Sequence, residues 1–336
     1  MKKIDLSKMR YDYDGVGHNK AEIERWFLGA VNPPAPSKNS IANRLRHMKK
    51  LTADENLIRN DLLNELDSIL LANPSQLYGY RRSYGGRLNA LPKAATSKKK
   101  KRGRRPRTFK DKLLYAFGYN RYRQGVLVTL ASYLNVKTCP YCNLHYTLSI
   151  RDFNAQSKKV LMAKMQFDHF YDKASYPFLS MSLYNLIPSC PICNQGKSQR
   201  LLSLAFHPYY ADIYKTFKFE VVDVLPLYVA SKDDRVELKL VPQTRNRIDR
   251  YDQAFHIKAL YERHKDVVQE EFAKAYLNYY YGYSRNFDFI ADQELRGRLI
   301  YGHYHDKEDI NKRPMTKFKQ DLWEQAVRDI GMINLP

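Results

Sequence analysis

The chain has 336 residues, 44% of them hydrophobic, enough for a buried core, and 57 Lys and Arg against 35 Asp and Glu give a net charge of +22. That excess favours an anionic partner, nucleic acid before a membrane surface. No stretch approaches the roughly 20 apolar residues of a spanning helix, and the start, Met1-Lys2-Lys3-Ile4, lacks the apolar segment of a signal peptide.

Residues 1–92 read as a helical module. Thr52-x-x-Glu55 has the pattern of a capping box, Leu57, Ile58, Leu62, Leu66, Ile69 and Leu70 follow at helical spacing, and Asn73-Pro74 stops that helix. Residues 93–107 change character. Lys98, Lys99, Lys100, Lys101, Arg102, Arg104, Arg105 and Arg107 come without an intervening acid, so this segment reads as a linker or basic arm that follows phosphates or enters a minor groove. A targeting signal and a merely solvated loop are the alternatives. Removing those eight charges leaves 22 − 8 = +14, so the basic character is spread along the chain.

Thr108-x-x-Asp111 opens a predicted helix over 108–134, with Leu113, Leu114, Phe117, Leu127, Leu130 and Leu134 as its apolar stripe. Leu144–Ile150 and Lys159–Phe167 read as strands and 194–205 as a helix, which gives strand, strand, helix. Residues 208–336 alternate strands (Phe217–Val222, Val236–Val241) with helices, one from near Asp249 to Tyr281 and one over Thr316–Ile330 with Gly331 at C′. The abundant tyrosines, 27 in all, read as surface packing before base stacking.

All four cysteines fall in two pairs, Cys139-Pro140-Tyr141-Cys142 and Cys190-Pro191-Ile192-Cys193. The first is also the active-site tetrapeptide of glutaredoxins. A redox role has no use for a second pair, and no βαβ pattern surrounds the first. Four thiolates make a closed tetrahedral Zn2+ site whose role is folding energy. Paired cysteines of this kind suit a reducing compartment, so the expected location is the cytoplasm or a nucleus.

Between and after the pairs stand Asp168-His169, Asn185 and Asn194-x-x-Lys197. In this order the elements resemble the HNH, or ββα-metal, endonuclease family, in the subtype whose core is stapled by four cysteines, over about 60 residues from Cys139 onward. The resemblance implies an α+β fold: a ββα-metal core over 108–207, flanked by the helical module and by a mixed α/β C-terminal region over 208–336. It assigns His169 as general base, Asp168 and Asn194 as ligands of a catalytic Mg2+ or Mn2+, and Asn185 as the residue that fixes the loop and the His169 ring. Lys197 and Arg200, near a helix N-terminus, are expected to contact phosphate. A basic insertion around Asn154–Lys164 departs from the family pattern. His145 and His207 read as structural.

The expected activity is hydrolysis of DNA phosphodiester bonds, with RNA still open. The phrase from Asp168 to Cys190 is most similar to HNH effectors of bacterial anti-phage systems of the Septu and Zorya types, which implies an ATPase or sensor as partner. The rival readings are a non-catalytic zinc protein that binds nucleic acid and a thiol-disulfide oxidoreductase.

Overall fold

The computed structural model describes the chain except residues 13–14, 35–36, 93–107, 152–159, 223–236, 246–247, 282–287, 303–305 and 333–336. The expected basic arm, Lys98 to Arg107, and most of the insertion before Asp168 lie outside the described residues. The architecture is mixed α+β: helices dominate, and the described strands form four antiparallel two-stranded sheets.

The N-terminal stretch carries α1 (Lys20–Val31), α2 (Ile41–Arg46), α3 (Ala53–Asn64), α4 (Leu66–Leu70) and α5 (Pro74–Ala90), with a short hairpin of β1 (Arg10–Tyr11) and β2 (Gly17–His18) before them. Thr52 and Glu55 form the capping box of α3. The apolar stripe that reads as one helix is broken at Glu65, whose φ of −104° and ψ of 11° turn the chain between α3 and α4. Leu57, assigned to that stripe, is 58% exposed. Asn73-Pro74 opens α5 as well as closing what precedes it. The Asn73 side chain accepts from the Ser75 and Gln76 amides, and Pro74 sits where a missing N–H leaves nothing unpaired.

The single helix expected over 108–134 is three: α6 (Phe109–Phe117), α7 (Tyr119–Tyr122) and α8 (Val126–Leu134). Gly118, at φ 72°, ends α6 in the left-handed conformation that a residue without Cβ adopts cheaply. The ββα order is present on other strands than the sequence suggests. β3 (Ser149–Arg151) pairs with β4 (Val160–Ala163) as a separate hairpin. The strands that precede the helix are β5 (Gln166–His169) and β6 (Leu186–Ser189), in register Asp168 to Ile187 and His169 to Leu186. The helix, α9, is Pro191–Lys197, not 194–205.

Beyond it, β7 (Phe217–Val221) pairs with β8 (Leu238–Pro242). The helix expected from Asp249 to Tyr281 is divided into Ile248–Phe255, Ile257–Tyr261 and Lys265–Tyr281, with His256 in the left-handed region between the first two. The last helix, Thr316–Met332, runs through Gly331 instead of ending before it. Its side chains satisfy β7: Asp321 accepts from the Phe219 amide at 3.0 Å, and Gln325 bonds both the N–H and the C=O of Val221. Buried apolar side chains form one cluster from Met1 to Ala326, including Phe27, Leu77, Leu130, Phe178, Phe219 and Trp323, so all parts of the chain share one core. Among the described residues, no helix is long and apolar enough to cross a membrane.

Candidate metal centre and active site

The four cysteines converge from a hairpin and a helix start. Thr138 bridges Tyr146, and the Cys139 amide donates to the His145 carbonyl, which closes a tight turn around Cys139-Pro-Tyr-Cys142. Asn143 takes φ 54° at its tip, and the Leu144 amide points at the Cys142 sulfur. Cys190 is the N-cap of α9 through its sulfur, which accepts from the Cys193 amide at 3.4 Å, while Pro191 occupies the first helical position. The four Sγ atoms lie within 4.8 Å of one another, and all are buried. Sulfurs on a tetrahedron with metal bonds of about 2.3 Å sit about 3.8 Å apart; Cys142 and Cys190 are separated by 3.9 Å. The group could hold a zinc ion.

Without a cation these thiols cannot all ionise together: burial pushes Cys139 up, whereas hydrogen bonds from the other thiols pull Cys142 down. The C-terminal region clamps the turn. Tyr251 and Tyr261 donate their hydroxyls to the carbonyls of Tyr141 and Cys142. The Asn143 amide donates to Ile310 and Arg313 carbonyls and its oxygen accepts the Lys317 amide, at the start of the last helix. None of these clamps is visible as a motif.

Beside this cluster, β5, α8 and α9 enclose a cavity of about 920 Å3 whose lining includes Asp168, His169, Asn194, Gln166, Arg123 and Lys173. Three of the residues picked from the sequence therefore share one wall. Asp168 is buried. Its carboxylate accepts from the Tyr141 hydroxyl at 2.8 Å and lies 3.2 Å from the Lys197 ammonium. Burial raises its pKa, and Lys197 opposes that rise. Tyr141 belongs to the Cys-Pro-Tyr-Cys turn, so the cysteine hairpin also delivers a ligand to the carboxylate. That role is readable only once the second strand is known.

His169 is pushed down to about 3, by burial first and then by the charge of Lys173. A ring so placed is neutral at neutral pH. Its Nε2 is 3.0 Å from the Ser180 carbonyl, which accepts only, so Nε2 carries the proton and Nδ1 keeps the basic lone pair. Tyr119 packs edge-on against the ring at 4.5 Å, and Lys173 lies over Tyr119 at 4.2 Å. Asn185 is fully buried and closes the intervening loop: its Nδ2 donates to the Tyr171 and Leu179 carbonyls, and its Oδ1 accepts the Tyr171 amide. It thereby fixes the segment that presents the Ser180 carbonyl to His169. Asn194 donates its amide to Gln166 at 2.6 Å, which leaves its carbonyl oxygen as the available ligand atom.

Lys197 departs from expectation. It is the last residue of α9, not near its start, and it is 0% exposed. Its ammonium donates to Asp168 and, at 2.7 Å, to the His169 carbonyl, so it cannot reach a phosphate outside. Arg200 is exposed and donates to the Gly196 carbonyl. The cations that do line the cavity, Arg123 and Lys173, were not singled out by sequence, because each stands in an ordinary surface helix or loop pattern. His145 lies 3.7 Å from the Cys142 sulfur, and His207 is buried against Phe170. No known protein family, curated protein or solved structure matches this chain.

Proposed function

We propose that the chain is a metal-dependent HNH endonuclease that hydrolyses DNA phosphodiester bonds. The observation that carries this reading is the meeting of Asp168, His169 and Asn194 on one cavity wall, from a strand pair and the following helix, against the four-cysteine cluster. A carboxylate oxygen and an amide oxygen beside a cavity roomy enough for water and substrate are the hard donor set that suits Mg2+ or Mn2+. When bound, such an ion neutralises charge developing on the phosphate and its leaving oxygen. The chain's residues supply the rest. His169, neutral and desolvated, takes the proton of the attacking water at Nδ1. Ser180 and Asn185 hold its ring. Lys173 and Arg123 receive the phosphate's charge. Tyr141 and Lys197 hold the Asp168 carboxylate. In this reading zinc occupies the thiols and ties the Cys139–Cys142 turn, whose Tyr141 holds Asp168, to the start of α9. The +22 charge supports a nucleic-acid substrate in the cytoplasm. The likeness to anti-phage effectors makes defence, beside an ATPase or sensor, the proposed setting.

The test is supercoiled plasmid with Mg2+ or Mn2+, wild type against His169→Ala. Loss of a general base lowers the rate by about 10²–10⁴-fold; equal nicking by both proteins removes the assignment. The buried Lys197–Asp168 pair favours a second reading, a non-catalytic zinc protein that binds nucleic acid, because the carboxylate is already neutralised by a side chain. That protein binds DNA with strong salt dependence and cuts it with neither ion, and Asp168→Ala lowers its stability without changing the affinity of the folded chain for DNA.

A further inference from the structure

A second cavity of about 510 Å3 is lined by Tyr78, Arg81, Tyr171, Leu201 to Leu204, Phe206, Arg245 and Arg250. Its composition is unlike that of the first. The floor is apolar and fully packed, with Tyr171, Leu202 and Phe206 buried. The rim carries three guanidinium groups and no carboxylate. Arg81 is held against Tyr78, Tyr171 and Tyr176 at 5.2, 5.5 and 5.9 Å from their ring centroids. Its Nε is buried with no hydrogen-bond partner, and among the described residues no acid pairs with Arg81, Arg245 or Arg250. Arg81 is partly buried, and exposed Arg245 and Arg250 add to its positive field beside an apolar floor, a combination that attracts an anion. Tyr78, 42% exposed, carries Arg81 and Arg82 at 5.2 and 5.9 Å from its ring centroid and keeps part of its ring toward solvent.

The ligand that matches both halves has a flat apolar part and a phosphate: a nucleotide. Its position indicates which kind. The two cavities share chain segments: Gln199 lines the first and Leu201 the second, with exposed Arg200 between them, and Tyr171 of the second is flanked by His169 and Asp172 of the first. We propose that this cavity holds a nucleotide of the strand that leaves the Asp168 cavity, its base against Tyr78 and the Leu201–Leu204 segment and its phosphate among Arg81, Arg245 and Arg250. The proposal rests on the nuclease reading for the strand's path, but the cavity's affinity for a strand does not depend on cleavage.

The experiment is fluorescence anisotropy of labelled oligothymidine with the zinc-loaded full chain and no added Mg2+ or Mn2+, across a salt series. Arg250→Gln and Arg245→Gln, both exposed and folding-neutral, test the phosphate side; Tyr78→Ala tests the stacking side. Expected are a loss of affinity of about tenfold for the arginine pair, a smaller salt slope by about two, and for Tyr78→Ala a comparable loss without a change of slope. Unchanged affinity and slope in all three variants overturn the proposal. Competition by free AMP at concentrations comparable to the oligonucleotide also overturns it, since the site then serves a free nucleotide. Absence of plasmid nicking by the wild-type chain with either Mg2+ or Mn2+ defeats the nuclease reading and leaves these binding outcomes standing.

Discussion

The thiol cluster and the Asp168 cavity meet at α9, and they differ in closure. The four sulfurs are buried, chemically identical and mutually within 4.8 Å. The cavity is about 920 Å3, and its wall mixes two carboxylates, an imidazole, amides and two cations. A closed, uniform ligand set defines its occupant by donor chemistry alone. An open, mixed set does not, and there the surrounding hydrogen bonds decide what the same residues can do. Asp168 illustrates this: Tyr141 and Lys197 hold the carboxylate before any ion arrives.

The contrast breaks most severely at the cluster. Cys190→Ser is expected to reduce zinc from about one per chain to a trace and to remove the cooperative unfolding transition, because structural zinc supplies about 10 kcal/mol or more. Elemental analysis and calorimetry check both; a folded, metal-free variant means that the thiols are only core. At the cavity, Lys197→Met leaves Asp168 buried without its cation and costs about 3–5 kcal/mol in denaturant unfolding. A cost below about 1 kcal/mol would mean that water screens the pair.

Acid separates the site from its support. His207 lies under Phe170, and burial pushes it down to about 3 from an ordinary value of 6.5. The unfolded chain therefore takes up a proton there that the folded chain refuses. Stability contributed by this group is constant above pH 6.5 and is lost as pH falls toward 3, at about 1.4 kcal/mol per pH unit. His207→Gln should flatten the acid limb of a stability-versus-pH curve by that slope, and an unchanged limb contradicts the burial argument. The smallest effect is at the junction. A Cβ on Gly196 would stand 2.7 Å from the Ala254 carbonyl, so Gly196→Ala must push α9 from the helix Ile248–Phe255 and is expected to cost about 1–3 kcal/mol, read as a lowered melting temperature.

The legible parts of the molecule were those in which adjacent residues state a local geometry. The capping boxes at Thr52 and Thr108 were readable because the cap and its partner are three residues apart. The cysteine pairs were readable for the same reason. The breaks at Glu65 and His256 were not, since tertiary packing turns the chain where neither Pro nor Gly stands, and those at Gly118 and Gly125 fall on glycines inside a continuous apolar stripe. The strand pair that precedes α9 is hard to place from sequence because β5 and β6 are four residues each and separated by sixteen, and their short apolar runs resemble those of β3 and β4. Asp168, His169, Asn185 and Asn194 were named from their order along the chain. Tyr141, Ser180 and Lys173 were not, because their roles exist only once distant segments meet. Lys197 looked like a phosphate contact in sequence, where a lysine after a short helix gives no sign that its ammonium turns inward.

The central claim is that Asp168 and Asn194 serve one divalent ion within reach of the His169 ring. Crystals of the zinc-loaded chain grown with Mn2+ and recorded at the manganese edge test it directly. The account predicts an anomalous peak in the cavity, bridged by the Asp168 carboxylate and the Asn194 carbonyl oxygen, with Lys197 still on the opposite side of Asp168. A cavity free of manganese at saturating concentration, with Asp168 engaged only by Tyr141 and Lys197, would contradict it.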